Sequence, residues 1–324
     1  MPLHFLLPES ASNWPRSIED FWTWQTTTPQ LTPWWGRYHW VLQTYLRLKY
    51  AGYPCELTHE MPNEGIVVSH RDCLPATLRP GPRVLMVSLL VDRAARHPFA
   101  QLHVVHRPGQ MTTQPDAYYL PPWPQVSLLP RDPARGDRFE TLAFVGYAHN
   151  LDRAFLSHSF TSTLASMGLR LEIPDPAQWH DFRNVDGVFA VRQLGRFDAG
   201  RKSVIKLINT RAAGVPAVLG YELGFRDVRR SVADYLEVTT VDEAATALER
   251  LADDAALRQR MVKNGYERAQ AFSATALTEQ WIRFFDEVAE PLWQRWCGDR
   301  QWRVSYRLDR EADRLRGGLL RRIA

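Results

Sequence analysis

Cysteine is scarce in this sequence, and no apolar run is long enough to cross a bilayer. Cys55, Cys73 and Cys297 are scattered and form no CxxC pair. Their spacing argues against a disulfide framework and against a zinc site, and it fits a reducing compartment. The longest apolar run, VLMVSLLV at 84–91, has the length of a strand, whereas a spanning helix needs about 20 residues.

Processing signals are missing as well. The first residues, MPLHFLLPES, lack the basic region and the small-residue cleavage site of a signal peptide. No Asn-x-Ser/Thr sequon occurs anywhere in the chain. We therefore expect a cytoplasmic protein, with a peripheral position on the inner face of a membrane as the alternative.

Neither sign of charge is in large excess. The chain has 40 Lys and Arg residues against 36 Asp and Glu residues, a net charge of +4. This balance permits attraction to phosphate groups of nucleotides or lipids without requiring it. Only the last twenty residues are strongly arginine-rich, so we expect no nucleic-acid partner. Walker A, HExxH, GxSxG and GxGxxG motifs are absent, and no metal site is predicted.

The sequence does contain a repeated alternation of short apolar runs and helical patterns. Apolar residues make up 45% and charged residues 23%, as in ordinary globular proteins. The runs predicted as strands are 3–9, 54–57, 65–69, 83–88, 101–105, 125–129, 141–146, 169–174, 187–192, 216–220 and 235–238. The patterns predicted as helices are 37–50, 151–167, 203–213, 243–252, 254–271, 275–296 and a basic segment from 306 onward.

The length and this alternation predict the fold class. At 324 residues the chain exceeds the size at which single cores stop growing, so we expect two domains. Strand–helix alternation on both sides of a seam near 131–140 predicts an α/β protein with two facing Rossmann-like, doubly wound domains. We place the N-terminal domain at 1–135, the C-terminal domain at 140–285 and the last helices at 286–324.

Charged and titratable residues follow three predicted strands of the first domain. Ligands of parallel sheets bind outside the carboxyl ends of strands, where these residues would lie. His70 is the candidate general base, because imidazole titrates near neutral pH, and Asp72 or Asp92 could orient it. The same side chains have the alternative of being ordinary solvated loop residues. The complete set is His70, Arg71, Asp72, Asp92, Arg93 and His106.

In the second domain the corresponding tips carry groups suited to phosphate. Gly146 would let a phosphate approach the backbone, and cations such as Arg192 complement phosphate oxygens. The helix predicted from Ser203, with that residue as N-cap, would point its positive end at the same place. The candidate set is Gly146, Tyr147, Arg192, Lys202, Ser203, Lys206, Asn209 and Glu222.

The segment KSVIKLINTRAAGVPAVLGYELGFRD, which begins at Lys202, resembles a known family pattern. It is similar to the donor-binding segment of glycosyltransferases with the two-domain GT-B fold, of the group-1 type. In that pattern a Lys-Pro-Ser/Thr-x-Lys-Leu-x-x helix precedes Ala-x-Gly-x-Pro-Val and an acidic residue. A later DYLEV strand and the helices after it are similar too, so the resemblance covers about residues 140–285.

The resemblance implies a nucleotide-sugar donor, UDP- or GDP-linked, held mainly by the C-terminal domain without a further cofactor. It places diphosphate and ribose contacts at Lys206 and Asn209, the phosphates near Gly146 and the donor near Glu222. The acceptor, a small molecule, glycan or lipid, would then bind the N-terminal domain beside any catalytic base. The last helices would cross back to that domain, as they do in proteins of this family.

One departure from the family pattern bears on activity. Many retaining members carry a Glu-x7-Glu pair on this helix, and Arg201 and Asn209 stand at the matching positions here. The first hypothesis is a metal-independent hexosyltransferase that moves a sugar to a hydroxyl acceptor in the cleft between the domains. The alternatives are a catalytically silent GT-B-like protein that binds a nucleotide sugar or a partner, and a sugar-nucleotide epimerase of the same fold.

Two further features have both a structural and a functional interpretation. Trp34 and Trp35 could stack on an acceptor, or they could pack in the core.

The segment from Tyr306 repeats apolar residues at helical spacing between six arginines, which is typical of a basic amphipathic helix. This helix could lie on an anionic membrane surface or pack across the N-terminal domain.

Overall fold

The chain folds into two compact units. The structure is a computed structural model that describes residues 1–9, 14–27, 35–93, 95–113, 116–196, 200 and 202–323, with only the backbone for 35, 113 and 317–323. The first unit joins Met1–Pro121 to Ala274–Ala324, and the second is Pro122–Ser273.

A parallel sheet forms the centre of the first unit. In the described residues its strand order is β2-β1-β3-β4-β5-β6, and neighbouring strands are parallel. The inner strands are buried along their whole length, which explains their continuous apolar sequences. The strands are β1 (Leu3–Leu6), β2 (Glu56–Thr58), β3 (Gly65–His70), β4 (Val84–Leu89), β5 (Leu102–Val105) and β6 (Ala117–Tyr119).

Helices from both ends of the chain cover this sheet. The last part of the chain returns to the first unit, because Phe284 and Phe285 bury their rings against Tyr118 and Phe5. The predicted crossing of the C-terminal helices back to this domain is confirmed. The helices are α1 (Ile18–Thr27), α2 (Trp35–Arg37), α3 (Gln43–Tyr50), α9 (Ala274–Phe284), α10 (Glu290–Gly298) and α11 (Arg300–Ile323).

The second unit is built on another parallel sheet. Its order among the described residues is β11-β10-β9-β7-β8, again with parallel neighbours. The chain starts at β7, adds β8 on one side and then crosses to β9 on the other, so the order reverses between β7 and β9. The strands are β7 (Thr141–Ala143), β8 (Arg170–Glu172), β9 (Gly187–Ala190), β10 (Ala217–Gly220) and β11 (Leu236–Val238).

The helices of the second unit pack their apolar faces onto this sheet and form its core. Thr240 caps one of them by accepting a hydrogen bond from the Glu243 amide, 3.1 Å. Gly214 ends another in a left-handed conformation, φ 71°, directly after the helix predicted at 203–213. The helices are α4 (His158–Ser166), α5 (Ile205–Ala213), α6 (Leu223–Arg226), α7 (Val241–Asp253) and α8 (Ala255–Ala269). The predicted α/β class with two Rossmann-like domains is confirmed.

The boundaries between the units differ from those expected at 135–140 and 285. The segment after Pro121 bonds to the second unit, because the Leu129 amide donates to the His180 carbonyl, 2.8 Å. At the other boundary α9 belongs with the first unit. The apolar sequence alone gave no sign of which sheet each flanking segment would cover.

Several predicted elements also need correction. The run 125–129 is not a strand, because Ser127 has φ 56° and only Leu129 makes an isolated bridge. The predicted helix at 151–167 is a 3₁₀ turn followed by α4. Strand β6 had no prediction, since its Ala-Tyr-Tyr sequence is half-buried and lacks a clear apolar period.

Candidate functional site

The carboxyl edge of the second sheet gathers most of the residues that were predicted to hold phosphate. Gly146 and Tyr147 follow β7, Arg192 follows β9 and Glu222 follows β10. These three strands are neighbours, and the strand order reverses between β7 and β9. In open α/β sheets the loops at such a reversal form the crevice in which ligands bind.

Lys206 connects the start of α5 to the tip of β7. Its ammonium donates a hydrogen bond to the Val145 carbonyl and lies 4.6 Å from the centre of the Phe144 ring. The side chain is half-buried, with its charged end directed at the backbone before Gly146. This places a cation beside the backbone of that loop and at the positive end of a helix, where anions are stabilised.

Burial of the ammonium lowers the pKa of Lys206 to about 7, with the positive charges of Arg192 and Lys202 adding to the effect and Glu222 opposing it. A bound anion would reverse this balance, because it would favour the charged lysine. Lys206 is therefore poised to change its protonation when a phosphate binds.

The other charges of this edge are held in place by local packing. Arg192 Nε lies 3.1 Å from a carboxylate oxygen of Glu222, so the loops after β9 and β10 are joined by an ion pair. Gly224 in α6 lets the chain pass close to Lys202, because a Cβ at that glycine would lie 2.4 Å from the Lys202 carbonyl oxygen. Three cations and one carboxylate then leave an excess of positive charge at the edge.

One prediction on α5 needs correction, and another stays untested. The helix begins at Ile205 with Val204 as its N-cap and no side-chain cap, so Ser203 is not the capping residue. Asn209 is 6% exposed, and its Oδ1 accepts a hydrogen bond from the Gln125 amide, 2.9 Å. Asn209 therefore ties the segment that enters the second unit to α5, and its ribose contact stays a prediction. Arg201 lies outside the described residues.

An aromatic cluster beside Gly146 was not foreseen. The Tyr147 ring stacks on His149 at 5.5 Å and 9°, and it meets Trp179 edge-on at 5.0 Å. Trp179 is anchored by a hydrogen bond from its indole nitrogen to the Pro174 carbonyl, 3.2 Å. Nothing in the sequence placed Trp179 next to Tyr147 and His149, because Trp179 is about 30 residues further along the chain.

Gly146→Ala tests the contact between the loop and the lysine. An added Cβ would lie 2.8 Å from Lys206 Nζ, so the ammonium has to shift relative to the Val145 carbonyl. We expect weaker binding of a nucleotide diphosphate, by roughly tenfold, and little loss of stability, because a flexible side-chain end can move. Calorimetric titration and thermal unfolding of the same preparations measure the two effects. Unchanged affinity would show that the lysine position is irrelevant to binding.

The corresponding reversal of the first sheet lies between β1 and β3. His70 ends β3 there and is 3% exposed. Its Nδ1 accepts a hydrogen bond from the Asp72 amide, 3.2 Å, so the neutral ring carries its proton on Nε2. Burial lowers the pKa of His70 to about 4, which keeps the ring neutral at physiological pH. In this arrangement His70 donates through Nε2, and a base role would require the other tautomer.

Glu9 and Arg37 are candidate site residues that sequence analysis missed. Glu9 follows β1, and its carboxylate pairs with the Arg37 guanidinium, whose charge also acts on the pKa of His70. The available signal was an acidic residue at the end of the first predicted strand, 3–9. Glu9 is therefore a further candidate site residue, a carboxylate at the sheet edge where His70 lies.

The remaining charged tips of the first unit hold the loops together. Arg71 donates to the carbonyls of Ala95 and Leu74, at 3.1 and 2.9 Å. Arg93 forms an ion pair with Asp72, with Nε 2.9 Å from each carboxylate oxygen. The acceptor-side roles of Arg71 and Arg93, and the catalytic role of Asp72 in orienting His70, stay predictions.

The other acceptor-side candidates lie in different parts of the first unit or outside the described residues. His106 is 1% exposed and its ring lies 6.3 Å from that of Trp40, so it is part of the packed interior. Asp92 lies in the loop after β4, where its charge acts on the pKa of His70. Trp34 lies outside the described residues, and only the backbone of Trp35 is described, at the start of α2.

Two substitutions of His70 distinguish a donor from a base. Gln retains an N–H donor, whereas Ala removes it, so a donor role predicts that Gln keeps most of the transfer rate and Ala loses roughly a hundredfold. A base role predicts that both variants lose activity equally. Initial rates of sugar transfer measure the effect, and Glu9→Gln in the same assay tests the carboxylate.

Comparison with known proteins gives a result only at the level of structure. No family model matches the sequence, and no curated protein matches it. HepE of Anabaena in complex with UDP superposes over 89% of this chain and 100% of its own, at 13% identity and a TM-score of 0.53. The complex of HepE with UDP and glucose gives 10% identity and a TM-score of 0.52 over the same shares.

The fold is GT-B. The sequence resemblance to GT-B glycosyltransferases is thereby confirmed for the fold, over nearly the whole chain. A weaker likeness extends to TarM, with 9% identity, a TM-score of 0.47 and coverage of 75% of this chain. The chain spans 58% of the length of TarM.

Proposed function

We propose that the protein is a glycosyltransferase whose nucleotide diphosphate sugar binds at the carboxyl edge of the second sheet. The observation that carries this proposal is the position of Lys206, at the start of α5 and against the backbone before Gly146. A diphosphate at this point would meet a cation, a helix N-terminus and a glycine loop together. HepE, which shares the fold, was solved with UDP.

In this proposal the cations of the edge stabilise the leaving diphosphate. Lys206, Arg192 and Lys202 provide positive charge at the point where charge develops as the sugar–phosphate bond breaks. No divalent cation is then needed for that step. Glu222, held by Arg192, faces the same group of charges and is proposed to contact the sugar.

The acceptor is proposed to bind the first unit. His70, Asp72 and Glu9 lie near the reversal of its sheet. In this proposal His70 positions an acceptor hydroxyl through Nε2, and one of the two carboxylates receives its proton. A small molecule, a glycan and a lipid all fit a hydroxyl acceptor, and placement of the acceptor between the domains stays a prediction.

A nucleotide-sugar binder without activity is the second candidate. It is favoured by Asn209, which stands at the second position of the Glu-x7-Glu pair of many retaining GT-B glycosyltransferases and whose side-chain oxygen accepts a hydrogen bond from the Gln125 amide. One measurement tests the nucleotide binding that both candidates share, and a second separates the candidates. UDP and GDP at about 100 times their Kd should each stabilise a binding protein by about 2.7 kcal/mol. Release of free UDP or GDP from the sugar donor, alone or with acceptor, then distinguishes an enzyme from a silent binder.

Nucleotide affinity should fall as pH rises above about 7. Lys206 is charged below its lowered pKa and neutral above it, and a diphosphate attracts only the charged form. Loss of one required proton weakens binding by at most about tenfold per pH unit. Titrations at pH 8 in buffers of different ionisation enthalpy should show proton uptake on binding. Lys206→Arg, which stays charged, should remove both effects, and persistence of proton uptake in that variant would contradict the assignment.

A further inference from the structure

A cavity of about 560 Å³ lies at the amino edge of the second sheet, opposite the edge that carries Lys206. One wall includes Phe139, Asp186 and Pro216, which come just before β7, β9 and β10. The other wall is one face of α8, and all the lining residues belong to the second unit. Small-molecule sites have volumes of this order, so this amino-edge cavity has room for a ligand.

The least exposed charged groups of the amino-edge cavity carry an excess of positive charge. Asp186 pairs with both Arg131, at 2.9 Å, and Arg135, at 2.7 Å, so this cluster keeps one positive charge. The Asp186 carboxylate also accepts hydrogen bonds from two backbone amides, both at 3.0 Å. Arg258 adds a second positive charge, because it donates to three backbone carbonyls and pairs with no carboxylate of the described residues.

The exposed charges at the mouth of the cavity are balanced. Arg138 and Lys263 have no side-chain partner among the described residues, and the carboxylates of Asp137 and Glu267 oppose them. The positive excess therefore comes from the less exposed groups, where water and salt screen it least. We expect it to attract the anionic group of a ligand into the cavity.

The rest of the lining is largely apolar and includes two aromatic rings. Tyr266 on α8 is 47% exposed, and its hydroxyl lies against Gly214, where a side chain would collide with it. Phe139 is buried, and the guanidinium of Arg258 lies 5.3 Å from the centre of its ring. Val262 adds an aliphatic surface on the same face of α8. A flat apolar body could therefore stack on the exposed Tyr266 ring.

We infer that the amino-edge cavity binds a small aromatic anion, a molecule with a flat apolar body and one negatively charged group. The arginines would attract the charged group, and Tyr266 with Val262 would cover the apolar body. The inference does not rest on the proposed sugar transfer, because the cavity and Lys206 lie at opposite edges of the sheet. Such a ligand would bind without displacing a nucleotide.

Fluorescence titration with anilinonaphthalene sulfonate tests the inference, because this dye is a flat aromatic anion that emits strongly in apolar surroundings. We expect one dye molecule bound per full chain and weaker binding as salt is added. Phenylnaphthylamine, which has the same rings without the sulfonate, should bind at least roughly tenfold more weakly. Saturating UDP should leave the bound dye in place.

Two charge reversals on α8 form a matched pair. Lys263 lines the cavity and Arg260 does not, and both side chains are exposed. Lys263→Glu should weaken dye binding roughly tenfold, whereas Arg260→Glu should change it less than about twofold. Tyr266→Ala should weaken binding roughly tenfold as well, because it removes the ring on which the dye stacks. Thermal unfolding of the same preparations shows whether each variant is folded.

Each outcome decides the question. Weaker dye binding in Lys263→Glu and Tyr266→Ala, with Arg260→Glu unaffected and all three variants folded, supports the site. The inference is overturned if the unaltered chain does not bind the dye, if the neutral compound binds equally well, or if either cavity variant binds as tightly as Arg260→Glu. Displacement of the dye by UDP would assign it to the nucleotide edge and would also overturn the inference.

Discussion

Lys206→Met is expected to weaken UDP binding by roughly ten- to a hundredfold, since a charge-assisted hydrogen bond contributes about 1.5–3 kcal/mol. Methionine keeps the unbranched shape and removes the ammonium. The loss should exceed that of any single substitution among the other described cations, because Lys206 donates from the start of α5 to the backbone of the loop at Gly146. Calorimetric titration with UDP and GDP measures the affinity directly.

The stability of the variant separates a binding defect from misfolding. Burial lowers the pKa of Lys206, so below pH 7 its charge lowers the free energy of unfolding. Lys206→Met should then be at least as stable as the parent at pH 6.5. Lys263→Met is the control, because Lys263 is exposed on α8 in the same unit. Equal affinities in the two variants would show that the nucleotide does not use Lys206.

Asp234→Ala is expected to lower the free energy of unfolding by about 3–5 kcal/mol, because it leaves a buried arginine without its partner. Asp234 is 5% exposed and accepts a hydrogen bond from Arg211 at 2.6 Å. Its other oxygen accepts from the amides of Arg230 and Ser231, both at 2.8 Å. The carboxylate thus joins the end of α5 to the loop before β11.

Denaturant unfolding of the Asp234 variants checks this expectation. Asp234→Asn keeps the shape and part of the hydrogen bonding, so its loss should be smaller than that of Ala. Glu172→Ala is the surface control, since Glu172 pairs with Arg170 at 2.8 Å where both side chains are more than half exposed, and such pairs contribute about 0–1 kcal/mol. A loss at Asp234 no larger than at Glu172 would mean that the buried pair is not coupled to folding.

Much of the fold could be predicted because the inner strands are buried on both faces. The continuous apolar runs at 65–69 and 83–88 therefore mark β3 and β4 to within one residue. A glycine directly after the helical pattern likewise marked the end of α5, where Gly214 adopts a left-handed conformation. The run 125–129 was misread, because it covers the second unit as an irregular segment whose apolar side chains resemble those of a strand.

The sequence predicted which strand ends carry the candidate site residues, but it predicted few of the contacts that these residues make. Residue type and strand order placed Gly146, Arg192 and Lys206 at one edge. The sequence could not show that Asn209 turns inward to Gln125, since helical spacing alone does not decide which face meets the entering segment. Nor could it pair Glu9 with Arg37, because that contact joins residues 28 positions apart.

A crystal structure of the protein with UDP tests the central claim most directly. The account predicts that the diphosphate lies at the start of α5, within hydrogen-bond distance of Lys206 Nζ and of the backbone around Gly146. Ordered UDP bound anywhere else, with Lys206 still donating to the Val145 carbonyl and no phosphate beside it, would contradict the account.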